Sequence, residues 1–154
     1  MMQTETRYIR PAAERDAGRI AEIIVTNYRT NFYPFFRNDA YYFDELNVLD
    51  MVKEYAQSSE GLRNSAVYDD GIVKGVISGT EIEKLYVEPQ FQSQGIGAVL
   101  LQYAVQKRNA VSLWVLEYNT CGIAFYKKNG FQLTGEKKIE DDIVPLLKME
   151  RISE

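Results

Sequence analysis

One strand–helix–strand segment in the middle of the chain constrains the fold more than any other feature. Residues 81–87 have the apolar pattern of a β-strand. Residues 96–108 carry apolar side chains at helical spacing; Gly95 directly precedes this segment, and Gly97 is its second residue. The short apolar run SLWVLE (112–117) then favours a buried strand. Parallel neighbouring strands need a crossover connection of a dozen or more residues, which is usually a helix. The sequence therefore predicts a parallel crossover with glycines at the start of its helix.

The remaining elements follow from periodicity and from turn residues. The predicted strands are 7–12, 131–138 and 145–151, a hairpin spans 65–78 with Asp70 and Gly71 in its turn, and the predicted helices are 14–26, 44–57 and 119–129. In the last helix, Asn119 is the expected N-cap and Gly130 the stop. Helices and antiparallel strands around one parallel crossover indicate an α+β fold. A length of 154 residues suits a single domain over residues 1–154.

Composition excludes several classes of function. The chain has no histidine and one cysteine, Cys121, so neither a Cys/His zinc site nor a Ser–His or Cys–His nucleophile is available. A net charge of −4 with scattered Lys and Arg argues against a nucleic-acid partner. We find no signal-peptide pattern and no apolar run long enough for a bilayer, and a lone cysteine fits a reducing compartment. We therefore expect a cytoplasmic protein without metal or membrane partner, and we interpret Cys121 as a buried structural residue.

The glycine pair at the predicted helix start favours an anion site. Backbone N–H groups there are free of intrahelical acceptors, and the helix dipole adds positive potential, so phosphate or pyrophosphate could bind. A simple turn would use the same glycines. Leu100 stands where a dinucleotide fingerprint needs a third glycine, and no Gly-Lys-Ser/Thr follows, so neither common phosphate motif is present.

A family resemblance narrows the choice of anion. The stretch EIEKLYVEPQFQSQGIGAVLL (81–101) resembles motif A of the Gcn5-related N-acetyltransferases, [RQ]-x-x-G-x-[GA] after L-Y-V-x-P, with Gln92, Gly95 and Gly97 in register. In that family this loop wraps the pyrophosphate of coenzyme A.

A second stretch, LWVLEYNTCGIAFYKKNGF (113–131), resembles motif B of the same family. Asn119, Phe125 and Tyr126 fall in register with its asparagine and its Phe-Tyr pair, as do the closing Gly-Phe residues. Ala124 lies one or two places from where the small residue usually falls. The resemblance implies an acetyl-CoA-dependent N-acetyltransferase that acts on a primary amine.

The resemblance also implies a fold and a cofactor site. The fold would be a mixed central sheet of about six to seven strands with a splayed parallel pair, flanked by about four helices. Unpaired backbone groups in the splay would bind the pantetheine arm, and the loop would bind the pyrophosphate. The expected acetyl-CoA contacts are Leu85, Tyr86, Val87, Gln92, Ser93, Gln94, Gly95, Ile96, Gly97, Ala98 and Asn119.

The resemblance places Tyr126 in the position of the general acid that protonates the departing thiolate. Tyrosine suits this role because its ordinary pKa of about 10 keeps it protonated at neutral pH. Without its motif, Tyr126 would be interpreted as a core aromatic. For the base, we expect a carboxylate acting through water, Glu83 first and then Glu81, with Glu117 a weaker third candidate; a solvated strand face explains the same pattern. Some members of the family have no dedicated base.

The acceptor side is expected in the aromatic segment 28–43, where Tyr33 and Phe35 are the first candidates to contact a cationic amine. Most of these rings must pack the helices on the sheet. A polyamine, an amino acid, an aminoglycoside and a peptide amine all stay open, as does a homodimer. Two other hypotheses are a catalytically silent acetyl-CoA sensor and a transferase acting on charged tRNA; the acidic balance disfavours the latter.

Overall fold

A computed structural model describes residues 6–57, 62–79 and 81–152. Its strands are β1 Ile9–Pro11, β2 Ser65–Asp69, β3 Val73–Ser78, β4 Lys84–Val87, β5 Ser112–Leu116, β6 Phe131–Glu140 and β7 Val144–Arg151. Its α-helices are α1 Ala17–Asn31, α2 Tyr33–Phe36, α3 Val48–Gln57, α4 Ile96–Arg108 and α5 Thr120–Lys128. None of the helices in these ranges combines the length and the apolar character needed to cross a bilayer.

The strands form two antiparallel sheets instead of one continuous mixed sheet. The first has the order β1-β2-β3-β4 and the second the order β5-β7-β6. The expected parallel pair, β4 and β5, lies between them, and a single bridge joins Ile82 to Leu113 there. The α+β class and the splayed parallel pair are thus confirmed, and the splay divides the sheet in two.

Helices cover both faces of the first sheet. Ile20 and Ile24 of α1 pack with Val67 in one cluster. Leu100 of α4 packs with Ala66 in the other. Ala66 and Val67 are neighbours on β2, and successive strand residues point to opposite faces. Helices α1 and α4 therefore hold β4 from its two sides, which fixes the edge that faces β5.

Several predicted boundaries were wrong for identifiable reasons. The first helix continues to Asn31, five residues beyond the predicted end, after a 3-10 turn at Glu14–Asp16. The helix expected from residue 44 begins at Val48, because Asn47 Oδ1 accepts the Asp50 N–H at 2.9 Å, as an N-cap does. A π-helical turn, Tyr41–Glu45, occupies the preceding residues.

The β2–β3 turn also differs from the prediction. Residues 70–72 separate the two strands, and the register shifts between Tyr68 and Asp69. Gly71 alone in this turn has a left-handed φ, +130°, while Asp70 does not. Asp69 Oδ1 accepts the Gly71 N–H at 3.0 Å and so closes the turn from its side. The turn is therefore longer than the two-residue Asp-Gly hairpin that the sequence suggested.

Strand β4 begins at Lys84, three residues later than expected. Gly79 has a φ of +96°, and the Glu83 N–H donates to the Ser78 carbonyl at 3.0 Å, although Lys84 is the register partner of Ser78. This irregularity turns Ile82 towards the second sheet before the β4 ladder starts.

Candidate functional site

The edge of β4 that faces β5 presents unpaired backbone groups. The Glu88 N–H donates to the Lys74 carbonyl at 2.8 Å, at the end of the β3–β4 ladder. Hydrogen-bonded pairs alternate along an antiparallel ladder, so Tyr86 also bonds to β3. Leu85 and Val87 consequently direct their backbone groups towards β5.

The facing edge of β5 is open in the same way. The Glu117 N–H donates to the Pro145 carbonyl at 2.9 Å, so the odd-numbered residues of β5 pair with β7 and the even-numbered ones face β4. The Ser112 carbonyl accepts the Ile82 N–H at 3.1 Å in the single bridge. Beyond that bridge, the described residues contain no β4–β5 ladder. The two strands thus leave a gap lined by hydrogen-bonding groups.

Side chains already occupy one carbonyl at the end of this gap. The Val87 carbonyl accepts Asn27 Nδ2 at 3.1 Å and Gln92 Nε2 at 3.0 Å. Gln92 was expected to contact pyrophosphate. Its side chain instead ties the glycine loop to β4, and its backbone N–H donates to the Pro89 carbonyl at 3.4 Å. Asn27 is a site residue that sequence reasoning missed.

The glycine loop has the geometry of an anion-binding nest. Ser93 and Gly95 have left-handed φ angles of +66° and +88°. As at any helix start, the N–H groups of the first turn of α4, from Ile96 to Ala98, have no intrahelical acceptor. No side chain caps this helix start either. A Cβ built on Gly97 would lie 3.5 Å from Phe125 Cζ, an ordinary contact. The nest is therefore open, and a small side chain at position 97 would fit.

A cleft of about 660 Å³ runs from this nest along the β4–β5 gap to α5. It is lined by every residue predicted to bind the cofactor except Gln94: Leu85, Tyr86, Val87, Gln92, Ser93, Gly95, Ile96, Gly97, Ala98 and Asn119. The structure thus brings the predicted set together in one continuous site.

Asn119 is positioned by the start of α5. Its Oδ1 accepts the Gly122 N–H at 2.9 Å, as predicted for the N-cap. A Cβ at Gly122 would lie 2.7 Å from Asn119 Cγ, closer than real contacts allow. Gly122 therefore leaves the space that the Asn119 amide occupies, and this pairing was not foreseen from the sequence.

A second cavity, of about 450 Å³, opens on the other side of the gap. It shares five lining residues with the cofactor-side cleft: Asn31, Leu85, Tyr86, Asn119 and Tyr126. The two spaces therefore meet around the middle of β4 and the Tyr126 side chain. Such a junction could bring together two ligands that enter from opposite faces.

Tyr126 lies at this junction. Its ring packs edge-on against Phe125, at 5.3 Å between centroids, and against Phe131 at 6.1 Å. Burial raises the pKa of the Tyr126 hydroxyl well above its ordinary value, so the phenol stays protonated. Burial likewise raises the pKa of Tyr28 to about 12 and that of Tyr86 well above 10. Of these tyrosines, Tyr28 lines only the second cavity.

The wall of the second cavity is charged and aromatic. Both predicted base candidates, Glu81 and Glu83, line it and are exposed. Glu140, Lys138 and Trp114 complete the polar and aromatic part of the wall. None of these three was expected here, because they lie on β5 and on the long β6 strand, whose position depends on pairing distant in sequence. Glu117 does not line either cavity and pairs with Lys137 at 3.0 Å.

The two predicted acceptor residues lie outside both cavities. The Tyr33 hydroxyl donates to Asp39 at 2.6 Å, and its ring packs on Phe43 at 5.0 Å. Phe35 is exposed and stacks on Tyr118 at 5.1 Å. Tyr28 and Phe32 of the same aromatic segment do line the second cavity. The aromatic segment 28–43 therefore contributes to the wall of the second cavity through Tyr28 of α1 and through Phe32, the residue that follows α1.

Cys121 was interpreted as a buried structural residue, and this was wrong. It is exposed and lines the cofactor-side cleft near the start of α5. It lies in the first turn of α5, where its exposed side chain borders the cleft and not the core. Among the described residues, no group of acidic, cysteine or histidine side chains has the arrangement of a metal site.

Comparisons with known proteins find similarity to one family of enzymes. Residues 62–133 match the family model described as an acetyltransferase (GNAT) domain. A peptidyl-lysine N-acetyltransferase, YjaB of Salmonella typhimurium, is 33% identical over 66 residues, which are 43% of this chain and 46% of that protein. The chain thus spans a little less than half the length of the curated relatives it matches.

Solved structures agree over nearly the whole chain. The apo form of YjaB from Escherichia coli has a TM-score of 0.70 and 21% identity, and covers 95% of this chain and 97% of that one. A PaiA N-acetyltransferase from Thermoplasma acidophilum, solved in complex with coenzyme A, has a TM-score of 0.64 and 21% identity, with 94% and 98% covered. At such identities these likenesses concern the fold.

Proposed function

We propose that the protein is an acetyl-CoA-dependent N-acetyltransferase acting on a primary amine, because residues 62–133 match the model of the GNAT acetyltransferase family. The observation that carries this proposal is the meeting of two cavities at Leu85, Tyr86 and Tyr126, one opening from a phosphate-binding nest and the other from a carboxylate-lined wall. A transferase requires such a junction because its two substrates have to meet at one reacting atom.

The residues of the cofactor-side cleft fit coenzyme A. The first-turn N–H groups of α4 and the left-handed backbone at Ser93 and Gly95 suit a pyrophosphate. The outward backbone groups of Leu85 and the outward N–H of Val87 suit the amides of pantetheine. When bound, acetyl-CoA supplies an acetyl thioester that an amine can attack. A structure of the relative yncA from Salmonella typhimurium holds this cofactor.

Tyr126 is proposed as the general acid. Its hydroxyl stays protonated because burial raises its pKa, and it lies at the junction of the cavities. A buried phenol can donate its proton to the sulfur that leaves, and water can return the proton afterwards. Asn119, held by its bond to the Gly122 N–H, borders the same space and can orient the pantetheine arm.

The base is proposed to be Glu83 or Glu81 acting through water. Both carboxylates line the acceptor cavity, and among the described residues neither forms an ion pair. Their exposure leaves room for a water molecule between carboxylate and amine. Such a relay removes a proton from the ammonium form of the acceptor before attack.

The acceptor is proposed to be a cationic alkyl amine. Three carboxylates (Glu81, Glu83 and Glu140) and one lysine (Lys138) line its cavity, so the wall carries an excess of negative charge. Trp114 and Phe32 provide apolar surface for an alkyl chain. A lysine side chain satisfies these requirements, in agreement with the name of the Salmonella relative, and so does a small diamine.

The cofactor assignment is tested by substitution at Gly97. Gly97→Glu places a carboxylate in the nest, and we expect it to abolish the thermal stabilisation that acetyl-CoA gives to the protein. Gly97→Ala is the matched control, since a Cβ there meets only ordinary contacts, and it should keep that stabilisation. Retained stabilisation in Gly97→Glu would contradict the loop assignment.

Catalysis is tested by thiol release from acetyl-CoA with a panel of amines, including diamines and lysine peptides. We expect release that depends on the amine. Stabilisation by acetyl-CoA without any thiol release would instead make the protein a sensor that binds acetyl-CoA and does not transfer its acetyl group.

A further inference from the structure

We propose that the protein acetylates its own Lys138, an inference that rests on the proposed function. Lys138 lies on β6 and lines the acceptor cavity together with Tyr126, Leu85 and Tyr86. It is the one lysine among the described residues that lines this cavity; Lys128 lines the cofactor-side cleft. The chain thus supplies an amine of its own on the wall of the space where the acceptor binds.

The surroundings of Lys138 resemble those expected for an acceptor amine. Its Nζ lies 4.4 Å from the centroid of the Trp114 ring and 3.4 Å from a carboxylate oxygen of Glu140. Both are wall residues of the cavity. The lysine side chain therefore uses the aromatic and acidic contacts that we assign to the external amine, and an external amine has to share or displace them.

Two features allow the Lys138 side chain to move from the wall into the cavity. It is 41% exposed, and its ion pair with Glu140 joins neighbouring residues of the same strand face. An exposed ion pair stabilises a side-chain position only weakly. A long, flexible side chain held by so weak an interaction can turn towards the junction at Tyr126 without unfolding the strand.

The step balances with acetyl-CoA as the only co-reactant. The neutral Lys138 Nζ forms a bond to the acetyl carbonyl carbon, and the bond between that carbon and the coenzyme A sulfur breaks. Nitrogen loses a proton to a carboxylate or to water, and the sulfur receives one from Tyr126. The products are N-acetyl-lysine at position 138 and free coenzyme A. Acetylation removes the positive charge, so Lys138 loses its cation–π contact with Trp114 and its pairing with Glu140.

The adjacent lysine provides an internal control. Lys137 is 47% exposed and pairs with Glu117 at 3.0 Å, but it lines neither cavity because successive strand residues face opposite ways. Non-specific chemical acetylation by acetyl-CoA would therefore label Lys137 at least as much as Lys138. Only a reaction inside the cavity favours Lys138.

The experiment incubates the purified protein with acetyl-CoA, without an added amine, and maps acetyl groups by mass spectrometry of its peptides. We expect about tenfold more acetylation at Lys138 than at Lys137, because a positioned amine reacts far faster than a free one. The preference should vanish in Gly97→Glu. Equal labelling of the two lysines, or a preference that persists in Gly97→Glu, would overturn the proposal.

A second readout does not need acetyl-CoA. Trp114 is the only tryptophan of the chain, and its ring centroid lies 4.4 Å from Lys138 Nζ and 5.9 Å from Lys148 Nζ, so its fluorescence reports on both lysines. Lys138→Met should shift or enhance the emission, while the control Lys137→Met should leave it unchanged; identical emission from both variants would contradict the Lys138–Trp114 contact. Thermal stabilisation by acetyl-CoA and thiol release with a diamine are measured on the same sample. If both occur without Lys138 labelling, this inference fails alone; if neither occurs, the proposed function fails with it.

Discussion

Three phenols line the second cavity, and their environments differ. Tyr28 and Tyr86 pack edge-on, with ring centroids 5.7 Å apart, and both belong to the apolar layer between α1 and the first sheet. Tyr126 comes from α5 on the opposite side and packs against the α4 core. Burial raises the pKa of each phenol, so all three are protonated at neutral pH. The proposal of Tyr126 as the general acid therefore rests on its position and not on its protonation state.

Tyr126→Phe should lower the turnover number by about hundredfold, within the range usual for a lost general acid. The ring keeps its packing on Phe125 and Phe131, so the affinity for acetyl-CoA should stay nearly unchanged. Steady-state kinetics and calorimetric titration measure the two quantities.

The comparison variant for this test is Tyr86→Phe. If it lowers turnover more than Tyr126→Phe does, Tyr86 is the acid. The raised pKa of Tyr126 also has a consequence for the pH profile. Deprotonation of this phenol should cause no loss of rate below its ordinary pKa of about 10, since the loss moves to higher pH.

Arg10 ties the N-terminal strand to β2 and to the 3-10 turn before α1 through two carboxylates. It donates to Asp16 at 2.7 Å and to Asp69 at 2.9 Å. The hydrogen bond from Arg10 is the main cause that lowers the pKa of the nearly buried Asp16, and the Ala13 N–H adds to it. For Asp69, the Gly71 N–H is the larger cause and Arg10 the second.

The lowered pKa of Asp16 predicts acid sensitivity. The unfolded carboxyl titrates near pH 4, above the folded one, so its stabilisation is complete above about pH 4 and is lost as pH falls through the lower folded value. Asp16→Asn should reduce the free energy of unfolding by about 1–3 kcal/mol at pH 7 and should flatten its dependence on pH below 4. Urea unfolding across pH measures both effects. Glu22→Gln, at an exposed ion pair with Arg19, is the control and should change stability by less than about 1 kcal/mol.

At the scale of elements, the start of α5 shows how one glycine positions a functional side chain. The helix begins after Asn119, whose side-chain oxygen bonds to the Gly122 N–H, and the space for that side chain exists because Gly122 has no Cβ. Gly122 therefore supports the cap by leaving space for the Asn119 side chain, and not by adopting a left-handed φ.

Gly122→Ala should therefore destabilise the protein, against the usual gain of a helical Gly-to-Ala change. Losing the cap costs about 1 kcal/mol, and the displaced Asn119 should also weaken acetyl-CoA binding. The matched control is Gly18→Ala in α1, where a Cβ would meet nothing within 4 Å, and it should stabilise the protein by about 0.5–1 kcal/mol. Thermal unfolding compares the variants. A double variant, Asn119→Ala with Gly122→Ala, should be no less stable than Asn119→Ala alone, and a further loss would show that Gly122 has another role.

The elements that the sequence predicted best carry their boundary signals locally. Helix α4 was predicted with its observed bounds, because Gly95 precedes it and Asn109, with a φ of +54°, ends it. The secondary structure around α2 and the π-helical turn was not predicted, since the eight aromatics of this segment fit both a core pattern and a cleft pattern. The residues of β5 and β6 that line the second cavity could not be predicted from the sequence. Trp114 and Lys138 meet only through strand order, in which β7 lies between β5 and β6.

At the scale of the whole molecule, the two sheets depend on very little direct pairing. The bridge between Ile82 and Leu113 joins them, and the α4 core packs against both. A ligand that bonds to β4 and β5 together would add a second connection. By linkage, acetyl-CoA at about a hundred times its dissociation constant would stabilise the folded protein by about 2.7 kcal/mol. Much of that stabilisation should be local to the gap.

Hydrogen exchange can locate this effect at single amides. The N–H groups of Leu85 and Leu116 face the gap, whereas those of their neighbours Tyr86 and Val115 bond within their own sheets. Acetyl-CoA should slow exchange at Leu85 and Leu116 by more than the global stabilisation provides, while Tyr86 and Val115 should follow the global change alone. Amide-resolved NMR exchange with and without acetyl-CoA measures the difference. Equal protection of all four amides would mean that the ligand stabilises the fold without entering the space between β4 and β5, because bonding in the gap has to distinguish the two registers.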